Sequence, residues 1–492
     1  MPASAERLSA WHFSSGALLR LIPPWVTAQV DSPVGIAEGS RTTIQMRMGL
    51  LRTRWVAVHR DVMPGERFTD EIERGPMRRW RHIHRFLPES ARRSRLEDHI
   101  EYELPCGRLG AALLGRWARR ELRRAFDFRH LRTAHDLTRH QECATAEPLR
   151  IAVSGASGLV GSALVPFLAS GGHQVRRLVR LPARMKGAAR ADGNPGADGN
   201  PGADGNPGAD GNPGAADAES IAISARRARL DVPWDPAGGT IDSAGLEGLD
   251  AVVHLAGAGI ADRRWSDARK REIRESRVQG TLLIARTLAS LSSPPRVLIC
   301  ASAVGWYGDR GERELNESAE RGSGFLSDVC AEWERATEEA ENAGIRVVHL
   351  RIGPVLSARG GVLGRLAPIF RAGGGGPVGS GRQGMSWIAL DDLLSAILFA
   401  IVTPSVHGAV NATAPAPSSN RDFGRTLARV LRRPFVLPVP GFAIRTMLGE
   451  MGDQLILRGN FVQPARLLDH RFRFDFPTLE SALRFELGRL QD

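Results

Sequence analysis

The sequence predicts an α/β chain, a doubly wound parallel sheet preceded by a smaller α+β unit. Three observations carry that prediction. Residues Leu149–Leu164 make a short apolar strand that runs into Gly155, Gly158 and Gly161 and then into a helix. Further apolar strands follow at 250–257, 296–301 and 345–350, separated by helical stretches, as in parallel strands joined by helical crossovers. Before them, the chain alternates with period two from Thr42 to Leu104 and then changes to helical spacing.

Residues 1–145 form the first unit. Ile44, Met46 and Met48, then Trp80, His82, His84 and Phe86, then Leu96, Asp98, Ile100, Tyr102 and Leu104 alternate as antiparallel strands with one wetter face. Pro105 and Gly107 break this pattern. Leu109, Leu113, Leu114, Trp117, Leu122, Ala125 and Phe126 then recur at helical spacing, which predicts a long closing helix. The arginines between Arg116 and Arg132 read as its solvated face, their stems covering apolar surface. His82 and His84 share a strand face, but spacing along the strand places no third ligand, so they read as core or cavity-lining and no metal is assigned.

Residues 149–405 form the second unit. Gly155 lets the chain turn tightly, Gly158 lets the backbone approach a pyrophosphate, and Gly161 lets the helix pack close to its strand. The N–H groups at the start of that helix face the phosphates. The second strand, His173–Val179, ends at Arg180 with no acid beside it to hold a ribose 2′-hydroxyl. An arginine there suits a 2′-phosphate, the alternative being a surface side chain with no ligand. Four tandem copies of Ala-Asp-Gly-Asn-Pro-Gly fill 191–214; they bury no core and read as a disordered insert. The strand 250–257 ends in Leu255, Ala256 and Gly257, small enough at its tip for a dinucleotide to lie across the sheet.

Composition narrows the remaining classes. The chain has 492 residues and a net charge of +12, carried by arginine, since Lys186 and Lys270 are the only lysines. The charge is spread without aromatic interleaving, which argues against a nucleic-acid partner. Cys106, Cys143, Cys300 and Cys330 show neither metal spacing nor a disulfide framework, so a reducing cytoplasm is expected. No run is apolar enough to span a membrane, and Glu6 and Arg7 interrupt any signal-peptide core.

Two resemblances extend this reading. The strands closed by a helix, with Ile22-Pro-Pro-Trp25, Gly75-Pro76, Trp80-Arg-His-Ile-His84 and Phe128-Arg-His130, resemble the START-like or Bet v 1-like helix-grip fold, which implies an apolar small-molecule ligand. Gly155-Ala-Ser-Gly-Leu-Val-Gly161, His254-Leu-Ala-Gly257, Ser302-Ala-Val-Gly-Trp-Tyr-Gly308 and Gly379–Ile388 resemble the extended short-chain dehydrogenases/reductases. Within them the match is to the atypical "epimerase family protein" branch, also labelled cell division inhibitor. That likeness implies a Rossmann-like domain with a small C-terminal domain, here 406–492, marked by Gly408-Ala-Val-Asn411, Arg433-Pro434, Leu437-Pro-Val-Pro440 and Leu448-Gly-Glu-Met451. It implies a dinucleotide on Gly155, Ala156, Ser157, Gly158, Leu159, Val160, Gly161, Leu255, Ala256, Gly257 and Arg277, with Arg180 selecting NADP(H). Ala389 stands where the branch usually has histidine.

The superfamily's usual acid is a tyrosine whose pKa is lowered by a lysine four residues later. The fourth followers of Tyr102 and Tyr307 are Cys106 and Gly311, so that dyad does not exist. By resemblance Leu326 takes the tyrosine place, Cys330 the lysine place, and Arg277 replaces an asparagine. The catalytic candidates are then Ser302, as a donor to a substrate or cofactor oxygen, Tyr307, as acid or packing residue, and Cys330, as reactive thiol or buried hydrophobe. Arg382 is placed to hold an anionic substrate or to steady its glycine-rich loop. Together these features predict an NADP(H)-binding atypical reductase or epimerase-like enzyme acting on a small molecule. The competing class is an NADP(H)-dependent sensor whose first unit holds a lipid-like ligand.

Overall fold

The computed structural model describes residues 1–32, 35–48, 51–180 and 231–491; the repeats at 191–214 lie outside them. α1 (Ala5–Phe13) and α2 (Ala17–Leu21) lead into β1 (Thr27–Ser32), β2 (Arg41–Met48), β3 (Leu51–Met63), β4 (Arg67–Arg74), β5 (Arg79–Ser90) and β6 (Arg93–Glu103). These six form one antiparallel sheet in chain order. In β5 the alternation buries Trp80, His82, His84 and Phe86 while Arg79 and Arg85 turn to solvent. Leu8 and Trp11 of α1 close the end of that face against Phe68 and Phe86.

The 36-residue α3 (Gly107–Glu142) follows, about 54 Å long at 1.5 Å per residue. Its first turns differ from the expectation. Leu109, Leu113, Leu114 and Trp117 are exposed, whereas Ala118, Phe128 and Leu137 further along are buried. Arg132, expected on the solvated face, is buried over the Phe128 ring and ion-paired to Asp391.

The second unit is an eight-stranded sheet. β7 (Arg150–Ser154), α4 (Gly161–Ser170), β8 (Gln174–Arg180), β9 (Asp231–Asp235), β10 (Thr240–Ile241), β11 (Ala251–His254), α5 (Asp267–Ala289), β12 (Val297–Ala303), α6 (Phe325–Arg335), β13 (Arg346–Ile352), α7 (Gly361–Arg371), α8 (Leu390–Val402) and β14 (Gly408–Ala412) follow in order. The sheet runs β10-β9-β8-β7-β11-β12-β13-β14, parallel apart from β10, and the strand order reverses between β7 and β11. Both faces are covered, which is why these strands read as continuous apolar runs. Ile151, Val153 and Val253 pack on α4 and α8, while Ala152 and Val252 pack on Ile284 and Leu288 of α5.

Two expected boundaries move. β14 pairs with β13, so the sheet extends past residue 405 to Ala412. The cut at 145 is also no linker. Phe128 of α3 shares a core with Phe423 of α9 (Asn420–Leu431), Phe485 of α10 (Leu479–Leu487) and Leu363 of α7, and Cys143 joins the core behind β7. The seam is ionic as well. Arg20 of α2 grips Asp136 through two bonds of 2.8 and 2.5 Å and reaches Asp391 of α8 at 3.0 Å, all buried. Among the described residues, no helix is long and apolar enough to cross a membrane.

Candidate functional site at the sheet switch point

The glycine turn sits where β7 and β11 diverge. Gly155 has φ +67°, and a Cβ there would lie 2.8 Å from the Leu255 carbonyl carbon. A Cβ on Gly161 would lie 2.2 Å from the Gly155 oxygen. Both glycines are therefore required by the protein's own packing. Gly158 differs, since an added Cβ would meet only the Gly155 oxygen, at 3.3 Å; the demand for glycine there comes from outside the chain. No side chain caps α4; its Ser162 and Ala163 N–H groups donate to the Gly158 and Val160 carbonyls at 2.9 and 3.1 Å, and the positive dipole end lies under the turn formed by Ala156, Ser157, Leu159 and Val160. This cradle fits a phosphate-bearing nucleotide.

The opposite wall is tied down from beneath. Ser154 Oγ lies 2.6 Å from His254 Nδ1 and accepts the Leu255 N–H at 3.2 Å, locking the tips of β7 and β11 together. His254 is fully buried, and burial pulls its pKa down to about 4, so the ring is neutral at pH 7. Arg277 donates to the Ala258 carbonyl at 3.0 Å and the Ile273 carbonyl at 2.9 Å, over the Trp333 ring at 5.0 Å. Burial lowers its pKa to about 10, which leaves the guanidinium charged beside Gly257, whose Cβ would lie 3.3 Å from it. Arg180 stands exposed at the end of β8. Asp231, on the neighbouring strand, is held by Arg177 through bonds of 2.7 and 2.5 Å.

The three catalytic candidates lie behind the crevice, in a buried network the sequence did not announce. Ser302 Oγ donates to Glu334 at 2.6 Å. Arg351 grips both oxygens of that carboxylate at 2.9 Å and donates to the Tyr307 hydroxyl at 3.1 Å, while Tyr307 donates to Asn411 Oδ1 at 2.7 Å. Arg351 also stacks on Trp306 at 3.9 Å. Ser302 is therefore not free to donate to a substrate oxygen, because strand alternation aims it at α6. Tyr307 is fully buried, and burial raises its pKa. Cys330 is buried, with Sγ 3.6 Å from the Ala303 carbonyl, and burial pushes the thiol up to about 12. Glu334 lies one helical turn after Cys330, and Arg351 and Asn411 lie one residue before the ends of their strands, so a polar residue at each of these otherwise apolar positions was the available signal.

Arg382 is exposed and pairs with Glu312 at 2.7 Å, which ties its loop to the segment after β12. In the first unit, the inner face of β4–β6 carries His82, His84, Asp70 and Asp98. The same face buries Phe68, Trp80 and Phe86 beside these polar groups. The missing third donor beside His82 and His84 is Asp70, supplied by the neighbouring strand instead of by spacing along β5.

Comparison with known proteins fits this geometry. The sequence profile of the NAD dependent epimerase/dehydratase family matches residues 151–412, and that of a domain of unknown function, DUF1731, matches 439–486. An epimerase family protein of Mycobacterium bovis is 37% identical over 339 residues, covering 69% of this chain and 98% of its own. A chloroplastic epimerase family homologue of Arabidopsis thaliana is 34% identical, over 68% of this chain and 86% of its own. Among solved structures, the nucleoside-diphosphate sugar epimerase of Corynebacterium glutamicum aligns with 99% of this chain and 89% of its own, at 31% identity and TM-score 0.73. The human epimerase family protein SDR39U1, crystallised with NADPH, aligns with 70% of this chain and all of its own, at 28% identity and TM-score 0.55.

Proposed function

The chain belongs to the NAD dependent epimerase/dehydratase family, and from that premise we propose that it binds NADP(H) and acts as an oxidoreductase or epimerase-like enzyme on a small molecule. The observation that carries this reading is the uncapped α4 under the Gly155–Gly161 turn, with Arg180 at the tip of β8 in place of an acid. The NADPH of the human relative supports it. When bound, the nicotinamide supplies or accepts hydride. The protein's part is to seat the pyrophosphate on the α4 N–H groups and the 2′-phosphate on Arg180, and to set the Arg277 charge beside the crevice.

Since Ser302 and Tyr307 are committed to Glu334 and Asn411, they act as positioning residues that hold the end of β12, and the proton exchanged with substrate comes from water. That same commitment favours the second reading, a sensor that binds NADP(H) without turnover. In either reading the first unit, a six-stranded antiparallel sheet against α3, serves as a START-like ligand-binding module. Anaerobic mixing with NADPH and a panel of carbonyl compounds tests the proposal. Oxidation of the cofactor by any member supports the enzyme, and tight binding with no oxidation across the panel supports the sensor.

A further inference from the structure

The register of the first sheet gathers an unusual set of side chains on one face. Asp70 of β4 stands opposite both His59 of β3 and His82 of β5, and His84 of β5 stands opposite Asp98 of β6. Period two turns all five to the same side, towards α1 and α3. His82 and His84 are buried, as is the Asp98 carboxylate, and Asp70 is 22% exposed. Apolar residues at these places would avoid the desolvation that buried imidazoles and carboxylates incur, so the cluster needs a reason beyond packing.

The ring orientations supply one. His82 Nε2 and His84 Nδ1 both lie 2.9 Å from Asp98 Oδ1. Their other nitrogens, His82 Nδ1 and His84 Nε2, face Asp70 Oδ2 at 3.9 and 3.3 Å. His82 hydrogen-bonds Asp98 through Nε2, which turns its Nδ1 lone pair toward Asp70, whereas His84 Nδ1 lies near Asp98 without hydrogen-bond geometry and its Nε2 meets Asp70 Oδ2. Two imidazole nitrogens and a carboxylate oxygen thus converge on one point, a donor set that a cation between them would satisfy. Metal–nitrogen bonds of roughly 2.0–2.1 Å in tetrahedral geometry place ligand atoms roughly 3.3–3.4 Å apart; His84 Nε2 stands at that distance from Asp70 Oδ2, His82 Nδ1 is farther at 3.9 Å, and the three donor atoms lie within 4.8 Å of one another. Among the described residues, no other trio of His, Cys, Asp or Glu donors is gathered in this way.

The surroundings are those of a built site. Asp98 Oδ2 also receives His130 Nε2 at 2.5 Å, so the carboxylate that orients the His82 ring is itself held. Asp70 Oδ1 lies 2.7 Å from His59 Nδ1, whose Nε2 is 3.1 Å from Thr42 Oγ1. Phe68 stacks on His84 at 4.1 Å and Phe126 meets His82 edge-on at 5.1 Å, which fixes both rings. Arg129 is the nearby cation on α3, and it donates to the Leu21 carbonyl and lies over Phe126. Such outer partners set the tautomer of metal-bound histidines.

We propose that Asp70, His82 and His84 bind a divalent transition-metal ion through His82 Nδ1, His84 Nε2 and Asp70 Oδ2. Asp98 is the shared outer carboxylate. Two imidazoles and one carboxylate suit zinc or ferrous iron, and three protein donors leave coordination positions for water or an anionic oxygen ligand. Asp70, the more exposed of the three donors, is the way in.

The test uses the full-length chain without an affinity tag, stripped by chelator and titrated with Co2+ and then Zn2+. One equivalent of Co2+ should give visible d–d absorption that Zn2+ abolishes. His84→Ala and the near-isosteric Asp70→Asn should lose that absorption, circular dichroism confirming that the fold is kept. Asp98→Asn should keep it with affinity 10–100-fold weaker, as expected for an outer partner. A proton held between His84 and Asp70 would satisfy the same lone pairs. In that case the chain shows no d–d absorption, or absorption unchanged in both His84→Ala and Asp70→Asn, and the proposal is overturned.

Discussion

Cys330 and Ser302 show how a residue's type can be read from sequence while its partner cannot. Cys330 shares the apolar stripe of α6, and its thiol, raised to about 12 by burial, should resist iodoacetamide at pH 7.5 while exposed Cys106 reacts. Peptide mass spectrometry after brief labelling checks this; rapid modification of Cys330 in the native chain would contradict it. Arg351 carries the network behind the crevice. Arg351→Met leaves Glu334 buried and unpaired, so urea denaturation should show a loss of about 3–5 kcal/mol, partly recovered by adding Glu334→Gln. An equal loss in single and double variants would mean that packing, and not charge, sets the cost. The link from Ser302 to Arg351 joins residues 49 positions apart through a third, and no local spacing encodes such a bond; only the pairing of β12 with β13 brings them together.

Helices and strands were legible where one period ran undisturbed. The β7 turn with α4, the buried strands β11 to β13, and β5 with its alternating face all follow from apolar spacing and glycine placement. The first turns of α3 misled, because Leu109, Leu113 and Trp117 keep a helical stripe with nothing packed on it. Sequence also gave no hint that α2 lies on α4. There, a Cβ at Gly16 would fall 2.0 Å from the Pro166 carbonyl oxygen. Gly16→Val should therefore cost roughly 1–3 kcal/mol by overpacking. Gly115→Ala in α3, where an added Cβ would meet only the end of the Arg119 side chain, Nη1 at 3.9 Å, should be neutral or stabilising. Thermal melts of the two variants check the contrast, and equal melting temperatures would show that α2 and α4 are not in contact.

At the scale of the molecule, the first unit is fused to the second through a shared core, which chain order cannot reveal because α3 reads as the end of one unit and serves both. A buried acid lies at the same seam. Asp392 accepts the Asp475 and Phe476 N–H groups at 2.7 and 3.1 Å, and burial, aided by Asp475, raises its pKa from 3.8 to about 8. The folded chain thus holds this proton more tightly than the unfolded chain. Its contribution to stability is full below pH 4 and is lost as pH rises towards 8, by at most about 1.4 kcal/mol per pH unit. Asp392→Asn cannot titrate, so wild type should lose stability relative to it between pH 5 and 8; a constant difference would contradict the raised value. The central claim is the cofactor, and calorimetric titration of the full chain with NADPH and NADH tests it most directly. NADPH should bind about tenfold tighter or better, as a charge-assisted contact from Arg180 implies, with the preference lost in Arg180→Ala and both cofactors lost in Gly158→Val. Equal affinity for the two cofactors, or an undiminished preference in Arg180→Ala, would contradict the account.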